Sequence, residues 1–196
     1  MITPPKKISA VLAKIVRVIT IPPIMICTLI AILAFFCDNI FIGVTDMLMS
    51  ALFLGIFPVI AYPVSYIIPK LSARDKQRNL AFVFTGIGYL AAILYGLIAS
   101  VTPNLMLIYM TYFMSAVVLT IVNKVIKVRA SGHACACVGP LLFLMYFISF
   151  KVMLPCLLLI AVIVWASRTL NRHSLRELAL GAATSVVSFA VSILIV

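Results

Sequence analysis

Two short segments hold most of the side chains in this chain that could do chemistry. Arg129-Ala130-Ser131-Gly132-His133 contains one of its two histidines. Ser167-Arg168-Thr169-Leu170-Asn171-Arg172-His173-Ser174-Leu175-Arg176-Glu177 contains the other, with one of only four acids. A neutral imidazole can attack phosphorus once a partner on its second nitrogen fixes the tautomer. His173 and Glu177 stand four residues apart, on one face if the segment is helical, so Glu177 can be that partner. His133 has no carboxylate in its own segment, which suits it to protonate a leaving alkoxide. Arg168 and Arg129 can each offer a phosphate two parallel hydrogen bonds, and Lys124 or Lys127 can add point charge. Ser131 supplies a hydroxyl, and Gly132 lets the backbone approach an anion closely. The expected catalytic set is His173, His133 and Glu177. The expected phosphate-binding set is Arg168, Arg129, Lys124, Lys127, Ser131 and Gly132.

The acids narrow the chemistry further. Magnesium or two-metal phosphoryl transfer gathers several carboxylates in one place. Only Asp38, Asp46, Asp75 and Glu177 are available. The expectation is metal-independent chemistry through a covalent histidine, with no metal and no other cofactor. Cys135 and Cys137 do not change this. Two residues apart on a helix they point roughly 200° from one another, and no second ligand pair accompanies them. The five cysteines lie in or beside apolar runs and are expected to pack as small apolar residues, unpaired.

What must position these groups is membrane-spanning sequence. The chain has 196 residues, 65% of them hydrophobic and 10% charged, where a soluble domain is about a quarter charged. Apolar runs near the length of a bilayer crossing recur. Seven spans are expected, at roughly 18–36, 46–68, 80–101, 103–123, 134–150, 152–167 and 177–196. The basic start precedes the first span without a cleavage pattern, so that span is expected to remain. Lys6, Lys7, Lys14 and Arg17 are expected to serve topology and surface charge. Pro22 and Pro23 fall near the start of the first span, and Pro58 with Pro63 predicts a kink in the second. Seven spans put the N-terminus and the loops at 70–79, 124–133 and 168–176 on one side, with fourteen of the fifteen Lys and Arg. The positive-inside rule then makes that side cytoplasmic. The net charge of +11 sits in short loops with no soluble domain to present it, so it indicates a membrane surface or an anionic lipid and excludes nucleic acid as a partner. The last span is rich in Gly181, Ala182, Ala183, Thr184 and Ser185, which suits close helix packing.

The two opening segments resemble motifs of the type 2 phosphatidic acid phosphatase superfamily, membrane relatives of the vanadium haloperoxidases. Ala130-Ser131-Gly132-His133 is similar to that family's Pro-Ser-Gly-His element. Ser167-Arg168, a four-residue gap, His173, a three-residue gap and Glu177 are similar to its Ser-Arg-x5-His-x3-Asp element. The family's Lys-x6-Arg-Pro element has no counterpart; Lys124, Lys127 and Arg129 offer charge in its place, with Lys70 to Arg78 as a further source. The resemblance implies an all-α integral membrane protein: a helical bundle with a six-helix phosphatase-like core at 46–196 and one extra span with a basic segment at 1–45. It implies hydrolysis of a phosphomonoester or diphosphate on a membrane lipid, such as phosphatidic acid, phosphatidylglycerol phosphate or a polyprenyl diphosphate, through a phosphohistidine. The lipid bilayer and the lipid phosphate are the expected partners, and a multi-pass position in the cell membrane the expected location. The alternatives are a protein that binds or moves an anionic lipid without chemistry, and a lipid phosphotransferase using the same pocket.

Overall fold

The computed structural model describes residues 7–68, 70 and 73–196, apart from the side chains of Arg74, Asp75 and Arg78. The described residues form eight helices and no strand. They are α1 (Lys7–Ile19), α2 (Pro22–Phe36), α3 (Val44–Ile67), α4 (Arg74–Ala99), α5 (Pro103–Val125), α6 (Gly132–Phe147), α7 (Phe150–Thr169) and α8 (Leu175–Ile195).

Local sequence sets most of these boundaries. Pro22 and Pro23 stand at the first helical positions of α2, where a missing N–H costs nothing. Ile21 before them is held extended, as a residue preceding proline should be, so α1 and α2 meet at 56°. Lys7, Lys14 and Arg17, expected to serve topology and surface charge, thus stand on a helix, while Lys6 lies outside the described residues. Pro58 has no N–H to continue the ladder, and α3 widens to a π-helical stretch over Ala51–Ile56 just before it. A second wide stretch, Ile121–Val125, ends α5.

Among the described residues, five helices are long and apolar enough to cross a membrane, or six if the bent pair α1–α2 counts as one span. This corrects the expectation of seven. Helix α6 has 16 residues, about 24 Å at 1.5 Å per residue, short of the ~30 Å hydrocarbon core. The chain is nonetheless an all-α, multi-pass membrane protein, with large apolar side chains such as Phe35, Ile98 and Leu194 exposed on its outside.

Helix α5 is central. It packs along α8 and α4, while α8 also packs along α6. The core closes around buried Tyr109, Phe143, Leu105 and Ile26, with Tyr89 and Tyr112 stacked edge to face at 5.5 Å. Tyr89, Tyr109 and Tyr112 are thus packing residues, whereas Tyr62 and Tyr66 are exposed. The N-terminal pair is packed into the bundle, α1 against α7 and α2 against α6.

Hydrogen bonds sort the loops into two ends. At one, Lys124 bonds Asn79, Ser131 bonds Glu177 and Arg17 bonds Ser167. At the other, Thr102 bonds the Ile40 carbonyl, Asn104 the Asn39 carbonyl, and Cys37 the Phe147 carbonyl. The loops that parity assigned to one side therefore do share one end of the molecule.

Candidate active site

Three helix ends meet at the basic end, each with a local reason to stop or start. Helix α7 stops because Asn171 adopts the left-handed conformation (φ 50). The Asn171 N–H then reaches the Arg168 carbonyl and the Arg172 N–H the Ser167 carbonyl, both at 3.0 Å. This double return is the cap that asparagine or glycine permits, and it places Arg168 and Arg172 at the same corner.

Helix α8 starts at Ser174, whose hydroxyl accepts the Glu177 N–H at 3.2 Å. Ser174-x-x-Glu177 has the spacing of a capping box, in which the acid normally turns back onto the N-cap N–H. Here the acid is spent elsewhere. His173 Nδ1 donates to Glu177 Oε2 at 2.8 Å, and Arg129 Nε lies 3.7 Å from Glu177 Oε1. The carboxylate thus fixes the His173 proton on Nδ1 and leaves the Nε2 lone pair unspent.

Helix α6 starts at Ser131, which is fully buried and caps the Ala134 N–H at 3.2 Å. Its own N–H donates to the Glu177 carbonyl at 2.9 Å, which locks α6 to α8 beside His173. The contact is close enough that a Cβ on Gly181 would collide with the Ser131 carbonyl oxygen, so only glycine fits there. The close packing expected of the last span thus has a specific task.

Arg129, Arg168, Asn171, Arg172, His173, Ser174 and Glu177 line an open pocket of about 200 Å³. Four of the expected residues, Arg129, Arg168, His173 and Glu177, are therefore brought together. The other five do not line this pocket. Lys124 is exposed and tied to Asn79 Oδ1 at 2.6 Å. Lys127 is exposed with a left-handed backbone (φ 60). Ser131 is occupied as a cap, and a Cβ on Gly132 would meet only Leu119, at 3.4 Å. Any contribution from Arg74 and Arg78 in the 70–78 segment lies outside the described side chains.

His133 is turned toward the N-terminal bend. Its Nε2 lies 3.3 Å from Thr20 Oγ1 and 3.8 Å from Cys137 Sγ. Thr20 spends its hydroxyl hydrogen on the Val16 carbonyl at 2.8 Å, so toward His133 it can only accept. His133 therefore carries its proton on Nε2, with Nδ1 left as the lone pair. Burial, then the nearby charge of Arg17, push its pKa down to about 4, so the ring is neutral at pH 7. That protonation state does not suit a proton donor until an anion arrives.

The residues that sequence reasoning passed over are Arg17, Thr20, Asn171 and Arg172. Arg17 was expected to be surface charge, yet its Nη1 donates to the buried Ser167 Oγ at 3.1 Å. Arg172, given no part in the site from the sequence, lines the pocket. The Asn171 cap and the Ser174-x-x-Glu177 spacing were both legible as signals for the α7–α8 corner.

Among the described residues, no three His, Cys, Asp or Glu side chains converge. Comparison with known proteins adds nothing to this geometry: no protein-family model, curated protein or solved structure matches the chain.

Proposed function

We propose that this protein is a membrane lipid phosphatase acting through a phosphohistidine, a divergent relative of the type 2 phosphatidic acid phosphatases. One observation carries the reading. The His173 Nδ1–Glu177 contact at 2.8 Å leaves Nε2 as the nucleophilic atom, at the wall of a pocket also lined by Arg129, Arg168 and Arg172.

The substrate phosphate sits among these guanidiniums, which stabilise the charge on its equatorial oxygens. His173 Nε2 attacks in line; the N–P bond forms and the bond to the lipid oxygen breaks. Glu177 holds the positive charge that develops on the His173 ring. The leaving oxygen takes a proton from His133, whose pKa rises when the dianionic phosphate binds beside it. In the second step water attacks phosphorus, His133 takes the water proton, and the N–P bond breaks to release phosphate. No step requires a metal. The substrate class is a phosphomonoester or diphosphate of a membrane lipid, with its tails left in the bilayer between helices. The charge asymmetry of the loops supports a cytoplasmic site, in the cell membrane.

The purified chain in detergent is expected to release phosphate from such lipids with or without a chelator. His173→Ala should lower the rate at least about a thousandfold with folding intact. Unchanged turnover in that variant would refute the mechanism.

A second reading, anionic-lipid binding without chemistry, is favoured by one feature: His133 faces Thr20 and is held neutral. Trapping phosphate on His173 separates the two, because binding alone forms no phosphohistidine. A phosphotransferase would form it and discharge it faster to an alcohol than to water.

A further inference from the structure

Helix α1 is amphipathic in the inverted sense. Its apolar residues Ile8, Val11, Leu12, Ile15 and Ile19 recur at helical spacing and are all more than half exposed, save Leu12 at 50%. Its opposite face, with Ala13, Arg17 and the following Thr20, turns toward the protein, against α7. The outward face suits lipid, and the inward face therefore carries a guanidinium into the interior.

A guanidinium drawn out of water needs compensation. For Arg17 the described residues provide one neutral hydroxyl, Ser167 Oγ at 3.1 Å, and no carboxylate. A second cation, Arg172, also acts on it electrostatically. Arg172 lines the pocket beside His173. Ser167, the partner of Arg17, is also the residue whose carbonyl fixes the Arg172 backbone. One turn beyond Arg17, Thr20 holds the His133 ring. Arg17 and Arg172 are thus both tied to Ser167, and neither has a carboxylate partner among the described residues, an arrangement that suits an anion.

We propose that Arg17 is a phosphate-binding residue of this site, carried in by a lipid-facing helix. It takes the place of the cationic element that the chain lacks ahead of Ser131-Gly132-His133. The inference rests on the phosphate site proposed above and adds α1 as its fourth wall. Phosphate bound between Arg17 and Arg172 replaces their repulsion with two charge-assisted contacts, and it lies beside His133, where its charge favours protonation of that ring.

The test uses the full chain in detergent and two readouts, orthophosphate binding by calorimetry and phosphate release from lipid phosphates. Arg17→Ala should weaken orthophosphate binding by roughly tenfold to a hundredfold, the loss of one charge-assisted hydrogen bond. Arg17→Lys should recover part of that loss. Ser167→Ala keeps the guanidinium and should weaken binding by only about twofold to fivefold. If Arg17 served only to hold α1 on α7, Ser167→Ala and Arg17→Ala would lower Tm alike and leave orthophosphate affinity unchanged, which overturns the proposal. Wild-type turnover with an Arg17→Ala protein of unchanged affinity and KM overturns this inference alone. Arg17-dependent orthophosphate binding in a wild-type protein that hydrolyses no lipid supports the inference and overturns the phosphatase reading.

Discussion

The two ends of the bundle treat their polar groups in opposite ways. Away from the histidines, Asp46 is 5% exposed and fully engaged. It accepts the Ile42 N–H at 2.8 Å and the Tyr95 hydroxyl at 2.7 Å. Ser50 donates to the Asp46 carbonyl and accepts from Tyr109, also at 2.7 Å. Asp46 and Ser50 are thus answered by partners within the protein. At the histidine end Glu177 is equally engaged, but Arg17, Arg168 and Arg172 have no carboxylate partner among the described residues. A closed polar network rigidifies a fold. An open one with surplus positive charge is free to receive an anion. The difference separates structural from functional polarity in a chain that can spare few polar residues for either.

That contrast can be broken at four points. The largest effect is expected from Glu177→Gln. Glutamine keeps the helix start intact but cannot neutralise a charged His173 ring. The rate of lipid phosphate release should fall about a hundredfold, with Tm within a degree or two of the parent. A large Tm loss with normal specific activity would make Glu177 a capping residue only.

Gly181→Ala comes next. Its Cβ would displace the Ser131 carbonyl, and with it the junction of α6 and α8. Overpacking of this kind costs about 1–3 kcal/mol. It should lower both Tm in a thermal melt and activity, because the pocket hangs on that junction.

Asp46→Asn should affect stability alone. An amide nitrogen there faces the Ile42 N–H or the Tyr95 hydroxyl and leaves a donor unanswered, worth about 1–2 kcal/mol. Tm should fall by a few degrees while kcat of the folded fraction stays at the parent value. A fall in kcat would show that the closed end also serves the reaction.

The smallest effect is a pH response at His133. Its pKa in the folded protein lies below the ordinary 6.5, at about 4. Between those values the unfolded chain holds a proton that the folded chain does not, so stability rises with pH. Tm should therefore drop on acidification from pH 6.5 toward 4. His133→Gln should show a shallower drop. An equal drop in both would assign the acid sensitivity to other groups.

Much of the candidate site was legible before the fold. His173 and Glu177 do bond, but His173 lies in the extended segment ahead of the Ser174 cap, so the contact comes from the entry turn of α8 and not from the helical spacing expected; the Ser131 and Ser174 caps follow from side chains that bind free N–H groups. The shared end of the 124–133 and 167–177 segments followed from counting apolar runs, since α6, though short, still runs from one end of the bundle to the other. The place of Arg17 was not legible. Lys7, Lys14 and Arg17 look alike in a sequence, and only the packing of α1 on α7 shows which of them turns inward. The position of His133 was hidden for the same reason: its partner Thr20 is 113 residues away.

The sequence by itself determined an all-α membrane protein, the pairing of His173 with Glu177, and the concentration of positive charge at one end. These rest on period, length and local spacing, which act over a few residues at a time. The tertiary structure alone decided that Gly181 must admit the Ser131 carbonyl, that burial and the nearby Arg17 charge hold His133 neutral, and that Arg17 turns inward onto Ser167 with no carboxylate partner among the described residues. Those outcomes depend on which helix faces meet, and in a chain whose helices are apolar nearly all round, sequence pattern does not choose the face.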